Sequence, residues 1–202
     1  MGSESSSRFI IKLTKNSNPL DALKESVIVR QIILGISNID DSTILKKFYP
    51  VGYVHTSLFI SWVEQDKFED DGILLEFGKY ESKNNEGGLM KYEYQDGGMR
   101  YGFTKMKEFE KNLASSAHIN LEIPSHSLML FKDLIERIKE GDNWSFNSYS
   151  VVSHNCQHFC AKALTILRVK LNPLAINIKD NERLKYGEKK DIIPNPIRSI
   201  FE

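Results

Sequence analysis

The chain has 202 residues, 41% of them hydrophobic and 10% aromatic, which suits one globular domain that folds without a disulfide framework or a structural metal. Its 27 Lys and Arg residues balance its 27 Asp and Glu residues, so no excess of positive charge indicates nucleic-acid binding. The two cysteines, Cys156 and Cys160, lie in one segment, which favours a reducing compartment such as the cytoplasm over secretion.

The amino-terminal residues carry an acylation pattern. MGSESS matches the acceptor pattern for N-myristoylation, with Gly2 exposed once Met1 is removed and Ser6 at the favoured position. The alternative is a flexible Ser-rich start, and residues 1–8 are expected to be disordered. Because a single acyl chain binds bilayers only weakly, a myristoylated Gly2 would add weak membrane association to a cytoplasmic location.

Apolar and β-branched residues predict several strands in the first two thirds of the chain. Residues 26–36 predict one or two strands, and YVHTSLFISWV (residues 53–63) has the strongest strand pattern. A loop with an acidic tip separates it from ILLEFGKY (residues 73–80), so the two segments are expected to form a hairpin. Glycine pairs in residues 84–98 indicate a flexible ribbon. Two further strands are expected at residues 99–103 and 119–123.

The remaining third predicts two helices and a tail. Apolar residues recur at helical spacing over residues 128–139, and again over residues 156–169. Residues 170–202 contain three prolines and a charged middle, which indicates an extended tail. We therefore predict an α+β domain over residues 9–169, in which an antiparallel sheet packs against the second helix.

The start of that second helix has the features of a nucleophile site. Cys156 follows a polar loop and begins an amphipathic helix, where backbone N–H groups and the helix dipole stabilise a thiolate and can hold an oxyanion. Such a thiol also needs a base. Of the five histidines, His55 is the best candidate because it lies in the most apolar strand. Glu76, between apolar neighbours on the paired strand, is expected to orient His55.

Each of these side chains also has an alternative reading. In these alternatives, Cys156 is a small buried residue at the start of a helix. His55 is a hydrogen-bonded histidine of the core, and Glu76 is a solvated carboxylate on a strand. Trp144 and Tyr149 precede the cysteine, and they either line a substrate groove or pack the loop against the core.

The neighbours of Cys156 are expected to be structural. Cys160, one helical turn further on, should lie in the core, and His158 should hydrogen-bond a loop carbonyl. Although His154, Cys156, His158 and Cys160 are closely spaced, a zinc site usually adds a second, distant pair of ligands, which the chain lacks. We therefore predict no metal.

Three segments together resemble a known group of enzymes. YVHTSLFI (residues 53–60), ILLEFG (residues 73–78) and YSVVSHNCQHFCAKAL (residues 149–164) are similar to the permuted NlpC-like cysteine hydrolases, which have a papain-like fold. In that group the histidine strand precedes the cysteine helix. The PPPDE peptidase branch, which includes deubiquitinating and deSUMOylating isopeptidases, is most similar. The lecithin:retinol acyltransferase branch, which acts on phospholipid esters, is second.

The resemblance implies roles for the matched positions. Cys156 falls on the nucleophile, His55 on the base and Asn155 on the residue beside the nucleophile, which we assign with Trp144 and Tyr149 to substrate binding. Glu76 only approximates a position that the acyltransferase branch fills with a second histidine, and this departure weighs against that branch.

The resemblance also implies a reaction and a partner. It points to a peptide or isopeptide bond in a protein substrate, with a ubiquitin-like modifier as the candidate, cleaved through a thioester acyl-enzyme without a cofactor. Lipid or ester acyl transfer is the alternative, and a catalytically silent binding module on the same fold is the second. No oligomeric state follows from the sequence.

Overall fold

The computed structural model describes six stretches of the chain: residues 27–38, 54–61, 71–78, 91–112, 117–178 and 193–201. The expectations for residues 1–8 and for acylation of Gly2 lie outside these stretches. Within them the elements are mixed helices and antiparallel strands, so the predicted α+β class is confirmed.

The described strands and helices follow one another in a simple order. The strands are β1 (Ile28–Val29), β2 (Gln31–Asn38), β3 (Val54–Ser61), β4 (Asp71–Phe77), β5 (Lys91–Asp96), β6 (Met99–Lys105), β7 (Ala117–Glu122), β8 (Met129–Leu130) and β9 (Lys170–Ile178). The helices are α1 (Met106–Asn112), α2 (Phe131–Lys139), α3 (Cys156–Ile166) and α4 (Asn195–Arg198). Seven strands form one sheet in the order β5-β6-β4-β3-β2-β7-β9, and β1 pairs with β8.

The two faces of the sheet pack against different partners. Side chains alternate along β3, so Val54, Leu58 and Ile60 face the main core, whereas Phe59 lies on the opposite face. On the main face α3 packs against β3 and β4, and α2 and α4 pack against α3. On the opposite face Phe59 contacts Phe109 of α1, with ring centroids 5.2 Å apart. The cysteine-bearing helix therefore packs against the two strands that carry His55 and Glu76.

The end of the chain is part of the domain, and the expected boundary after residue 169 is wrong. β9 pairs with β7 at the edge of the sheet, and Ile193 and Ile197 are buried in the main core. Pro173 misled the sequence interpretation, because proline cannot donate to a strand ladder and usually marks a loop. Here it lies in an edge strand, where the pairing with β7 shifts between Ile119 and Leu121.

The middle of the chain also differs from the sequence prediction in two ways. Part of the predicted ribbon forms β5, which pairs with β6. The turn between the two strands contains Gly97, whose φ of 62° lies in the left-handed region. A Cβ at Gly97 would come within 2.9 Å of the Ser145 Cα, so the loop before the cysteine packs closely on this turn. The short α1 was not predicted from the sequence.

Among the described helices, none is long and apolar enough to cross a membrane.

Candidate active site

The nucleophile candidate lies where α3 reaches the beginning of β3. Cys156 is the first residue of α3 and is only 1% exposed. Its Sγ lies 3.9 Å from the carbonyl oxygen of Val54, the first residue of β3. The Gln157 side chain donates to the same oxygen, with Nε2 3.4 Å away. These contacts hold the beginning of the helix beside the residue that precedes His55.

Asn155 caps the helix that carries the thiol. Its Oδ1 accepts the N–H of Gln157 at 2.9 Å and that of His158 at 3.3 Å, while its Nδ2 donates to the Val151 carbonyl at 2.6 Å. The side chain is buried and both of its ends are occupied. Asn155 therefore joins the loop to the helix, and its predicted contact with substrate stays a prediction.

The cap leaves a helical amide beside the thiol. The N–H groups of residues 155 to 158 have no intrahelical acceptor, and the Asn155 side chain accepts those of Gln157 and His158. The N–H of Cys156 is left, and no backbone carbonyl in the described stretches accepts it. A donor placed on the nucleophile residue can bind the oxyanion that forms when the thiolate attacks a carbonyl.

His55 and Glu76 meet across β3 and β4. Leu58 pairs with Leu75, so Glu76 stands opposite Ser57 and on the same face as His55, two residues away. The His55 Nε2 lies 3.5 Å from the Glu76 Oε1, and the two side chains are 23% and 7% exposed. Since Nε2 faces Glu76, the nitrogen left for Cys156 is Nδ1. The structure thus brings all three predicted catalytic side chains together.

The three groups strongly perturb one another. Burial alone would lower the pKa of His55, but hydrogen bonds to Cys156 and Glu76 outweigh it and raise that pKa to about 10. Burial would raise the pKa of Glu76, but the His55 and Arg100 cations hold it at about 2. Burial likewise opposes ionisation of Cys156, yet contact with His55 and with the amide and hydroxyl of Thr56 lowers its pKa below the ordinary thiol value. The arrangement favours a thiolate–imidazolium pair.

Comparison with known proteins identifies the family of this chain. A family model described as the PPPDE putative peptidase domain matches residues 50–195, which is more than half of the chain. The chain belongs to the PPPDE family. No curated protein and no solved structure matches it. The match confirms the suspected PPPDE branch, and it includes β9, which the sequence interpretation had left outside the domain.

Trp144 of this PPPDE domain has a packing role. It is buried, its Nε1 donates to the Ile138 carbonyl at 2.7 Å, and its ring stacks on that of His154 with centroids 4.3 Å apart. The indole N–H and the ring of Trp144 therefore both have partners within the protein, and its predicted contact with substrate stays a prediction. Tyr149 packs on Phe77 and stays partly exposed, so its contact with substrate remains a prediction.

The other residues near the nucleophile are structural. His158 Nδ1 lies 3.0 Å from the Asn155 Oδ1, so its partner is the capping side chain and not the expected loop carbonyl. Cys160 is fully buried, as predicted, and burial raises the pKa of its thiol above the ordinary value. Among the described residues, no group of three or more His, Cys, Asp and Glu side chains is placed to hold a metal ion.

Two residues at the PPPDE site were missed by the sequence analysis. Arg100, on β6, pairs with Glu76, and Thr56 lies against the thiol of Cys156. The adjacency of Thr56 to His55 in the strand was a usable signal. The sequence carried no such signal for Arg100, because the pairing of β4 with β6 brings together segments that are separated in the chain by residues 84–98.

Proposed function

We propose that this protein is a cysteine-dependent hydrolase that cleaves a peptide or isopeptide bond through a thioester acyl-enzyme. The observation that carries the proposal is the placement of Cys156, at the N-terminus of a helix, next to His55, whose Nε2 lies 3.5 Å from the Glu76 Oε1. Membership of the PPPDE family supports peptidase chemistry at this site. A silent binding module would have no need for a thiol and an imidazole in contact.

The proposed reaction begins with the ion pair. The Cys156 thiolate attacks the substrate carbonyl carbon, and the Cys156 N–H binds the oxyanion. His55 then gives its Nδ1 proton to the leaving amine as the C–N bond breaks, which leaves a thioester. His55, now neutral, takes a proton from water, the resulting hydroxide attacks the thioester, and the thiolate is released with the carboxylic acid product. Glu76 stabilises the imidazolium at both ends of this cycle.

The shape of the site supports a narrow choice of substrate. Cys156 is 1% exposed, and the side chain of His55 beside it is 23% exposed, so the acyl carbon must reach the sulfur through a restricted opening. Small residues next to the scissile bond, such as glycine, fit such an opening best. A ubiquitin-like modifier with a slender, glycine-ended tail is therefore the proposed acyl group, and the proposed partner is the protein that carries it.

The test compares three substrates with the wild type and Cys156→Ser. These are ubiquitin-like modifiers with a fluorogenic amide on their C-terminus, a larger-side-chain peptide amide, and a short-chain phospholipid ester. The proposal expects Cys156-dependent cleavage of the glycine-ended amides. Cleavage of the ester alone would establish the acyltransferase-type alternative. An inert Cys156 with all three substrates would favour the binding module and overturn the proposal.

A further inference from the structure

Arg100 lies directly behind the carboxylate of the proposed site. It is paired with Glu76 in the register of β4 and β6, so the two side chains share one face of the sheet. Its Nε lies 2.9 Å and its Nη2 2.8 Å from the Glu76 Oε2. The Arg100 side chain is 19% exposed and that of Glu76 is 7% exposed, so water screens this pair only partly.

Arg100 and His55 lie on different oxygens of Glu76. The Nε and Nη2 of Arg100 both contact Oε2, whereas His55 faces Oε1 at 3.5 Å. The terminal torsion of a glutamate is soft, so nothing in the side chain itself fixes which oxygen points at the histidine. A planar guanidinium that binds one oxygen through two nitrogens supplies that constraint.

We propose that Arg100 is a positioning residue that acts through Glu76, by holding its carboxylate ionised and turned so that Oε1 faces Nε2 of His55. Cys156, His55, Glu76 and Arg100 then form a series of alternating charge, from α3 across β3, β4 and β6. This inference rests on the proposed function, because it assigns Arg100 a task only if His55 is the working base.

The proposal predicts the direction in which the His55 pKa changes when Arg100 is replaced, and loss of a nearby charge alone would change it in the opposite direction. Among the described residues, Cys156 and Glu76 act on His55, His55 and Arg100 act on Glu76, and the charge of Glu76 also reaches the buried thiol of Cys160. Removal of a cation behind Glu76, with the carboxylate left in place, would make the surroundings of His55 more negative and raise its pKa. Release of the carboxylate from its orientation would instead lower that pKa. Positioning therefore predicts a fall.

The test titrates the His55 ring by NMR in protein with ¹³C-labelled histidine, with the signal assigned from His55→Gln. Arg100→Met is expected to lower the His55 pKa by about one unit, which is a tenfold change in proton affinity. It should reduce kcat/KM for the fluorogenic glycine-ended amide by about the same factor. Arg100→Lys should recover part of both. Arg137→Met, which removes an exposed arginine on α2, should change neither. An unchanged or raised His55 pKa in Arg100→Met would overturn the proposal.

A double-mutant cycle covers the case in which Arg100→Met folds poorly. In a Glu76→Gln background the further loss caused by Arg100→Met should be small, because the carboxylate that Arg100 holds is gone. Fully additive losses in kcat/KM would overturn the positioning role. The proposed function fails separately: in that case the wild type itself shows an ordinary thiol at Cys156.

Discussion

The Nε2 of His55 lies 3.5 Å from the Oε1 of Glu76, on adjacent strands and at the same face of the sheet. This contact gives the imidazole a fixed direction, because the ring nitrogen that faces Glu76 cannot also face the thiol. It also stabilises the ionised form of the buried Glu76 carboxylate. The same relationship accounts for two opposite shifts, since it contributes to raising the pKa of His55 to about 10 and to holding that of Glu76 at about 2.

Glu76→Gln should lower both stability and thiol reactivity. Breaking a buried ion pair by removal of one partner costs on the order of 3 kcal/mol, here because His55 and Arg100 lose their shared anion. The pKa of Glu76 is about 2 when folded and about 4.3 when unfolded, so its contribution is complete above the unfolded value. The difference between wild type and Glu76→Gln in urea unfolding should therefore shrink as the pH falls from about 4.3 towards about 2.

The exposed Glu136 on α2 provides the matched control for that experiment. Glu136→Gln should leave the free energy of unfolding within about 0.5 kcal/mol of wild type. A Glu76→Gln variant as stable as this control at pH 7 would contradict the account of the buried carboxylate.

Thr56→Val should raise the pKa of the Cys156 thiol. The hydroxyl and the backbone N–H of Thr56 both help to stabilise the thiolate, and valine keeps the shape of the side chain while it removes the hydroxyl. Thr56→Ser should restore the wild-type value, and Thr104→Val, at another buried threonine of the sheet, should have no effect. The measurement is the pH dependence of alkylation. If Thr56→Val and wild type titrate alike, Thr56 takes no part in stabilising the thiolate.

Two substitutions of Asn155 should separate its two contacts. Asn155→Ala removes the helix cap and the bond to the Val151 carbonyl, and should cost about 1 to 2 kcal/mol. Asn155→Asp keeps an acceptor for the helix N–H groups but loses the donor to Val151. Thermal unfolding should therefore place Asn155→Asp between wild type and Asn155→Ala. Equal loss in both variants would mean that the bond to the loop, and not the cap, carries the stabilisation.

The end of the chain should be needed for folding. Ile197→Ala removes a buried side chain from the main core and should cost about 2 to 5 kcal/mol, while Asn195→Ala, at an exposed position of the same helix, should be nearly neutral. Deletion of residues 170–202 should give an unfolded protein, since it removes β9 and α4 together. A stable and more active truncated protein would show instead that this segment restrains the site.

The sequence was informative where a short pattern had one physical meaning. A histidine in the most apolar strand, a glutamate between leucine and phenylalanine, and a cysteine at a helix start were polar groups that needed partners, and the fold brings all three together. It was uninformative where pairing across the sheet decided the outcome. Arg100 acquires its role only through the register of β6 with β4, and β9 was hidden by Pro173, which an edge strand tolerates.

Burial also separated residues that the sequence had grouped. Trp144, Tyr149 and Asn155 all precede the nucleophile closely, and the sequence alone gave no means to tell a groove from a packed loop. In the fold, Trp144 and Asn155 have their polar atoms bound within the protein, whereas Tyr149 stays partly exposed.

The most direct test of the account is the pH dependence of Cys156 alkylation by iodoacetamide, in wild type, Cys160→Ala and His55→Ala. The account predicts that wild type and Cys160→Ala react with an apparent pKa well below the free-thiol value of about 8.5, and that His55→Ala returns it to that value or above. An inert Cys156, or one that titrates as an ordinary thiol in all three proteins, would contradict the thiolate–imidazolium pair and with it the proposed hydrolase.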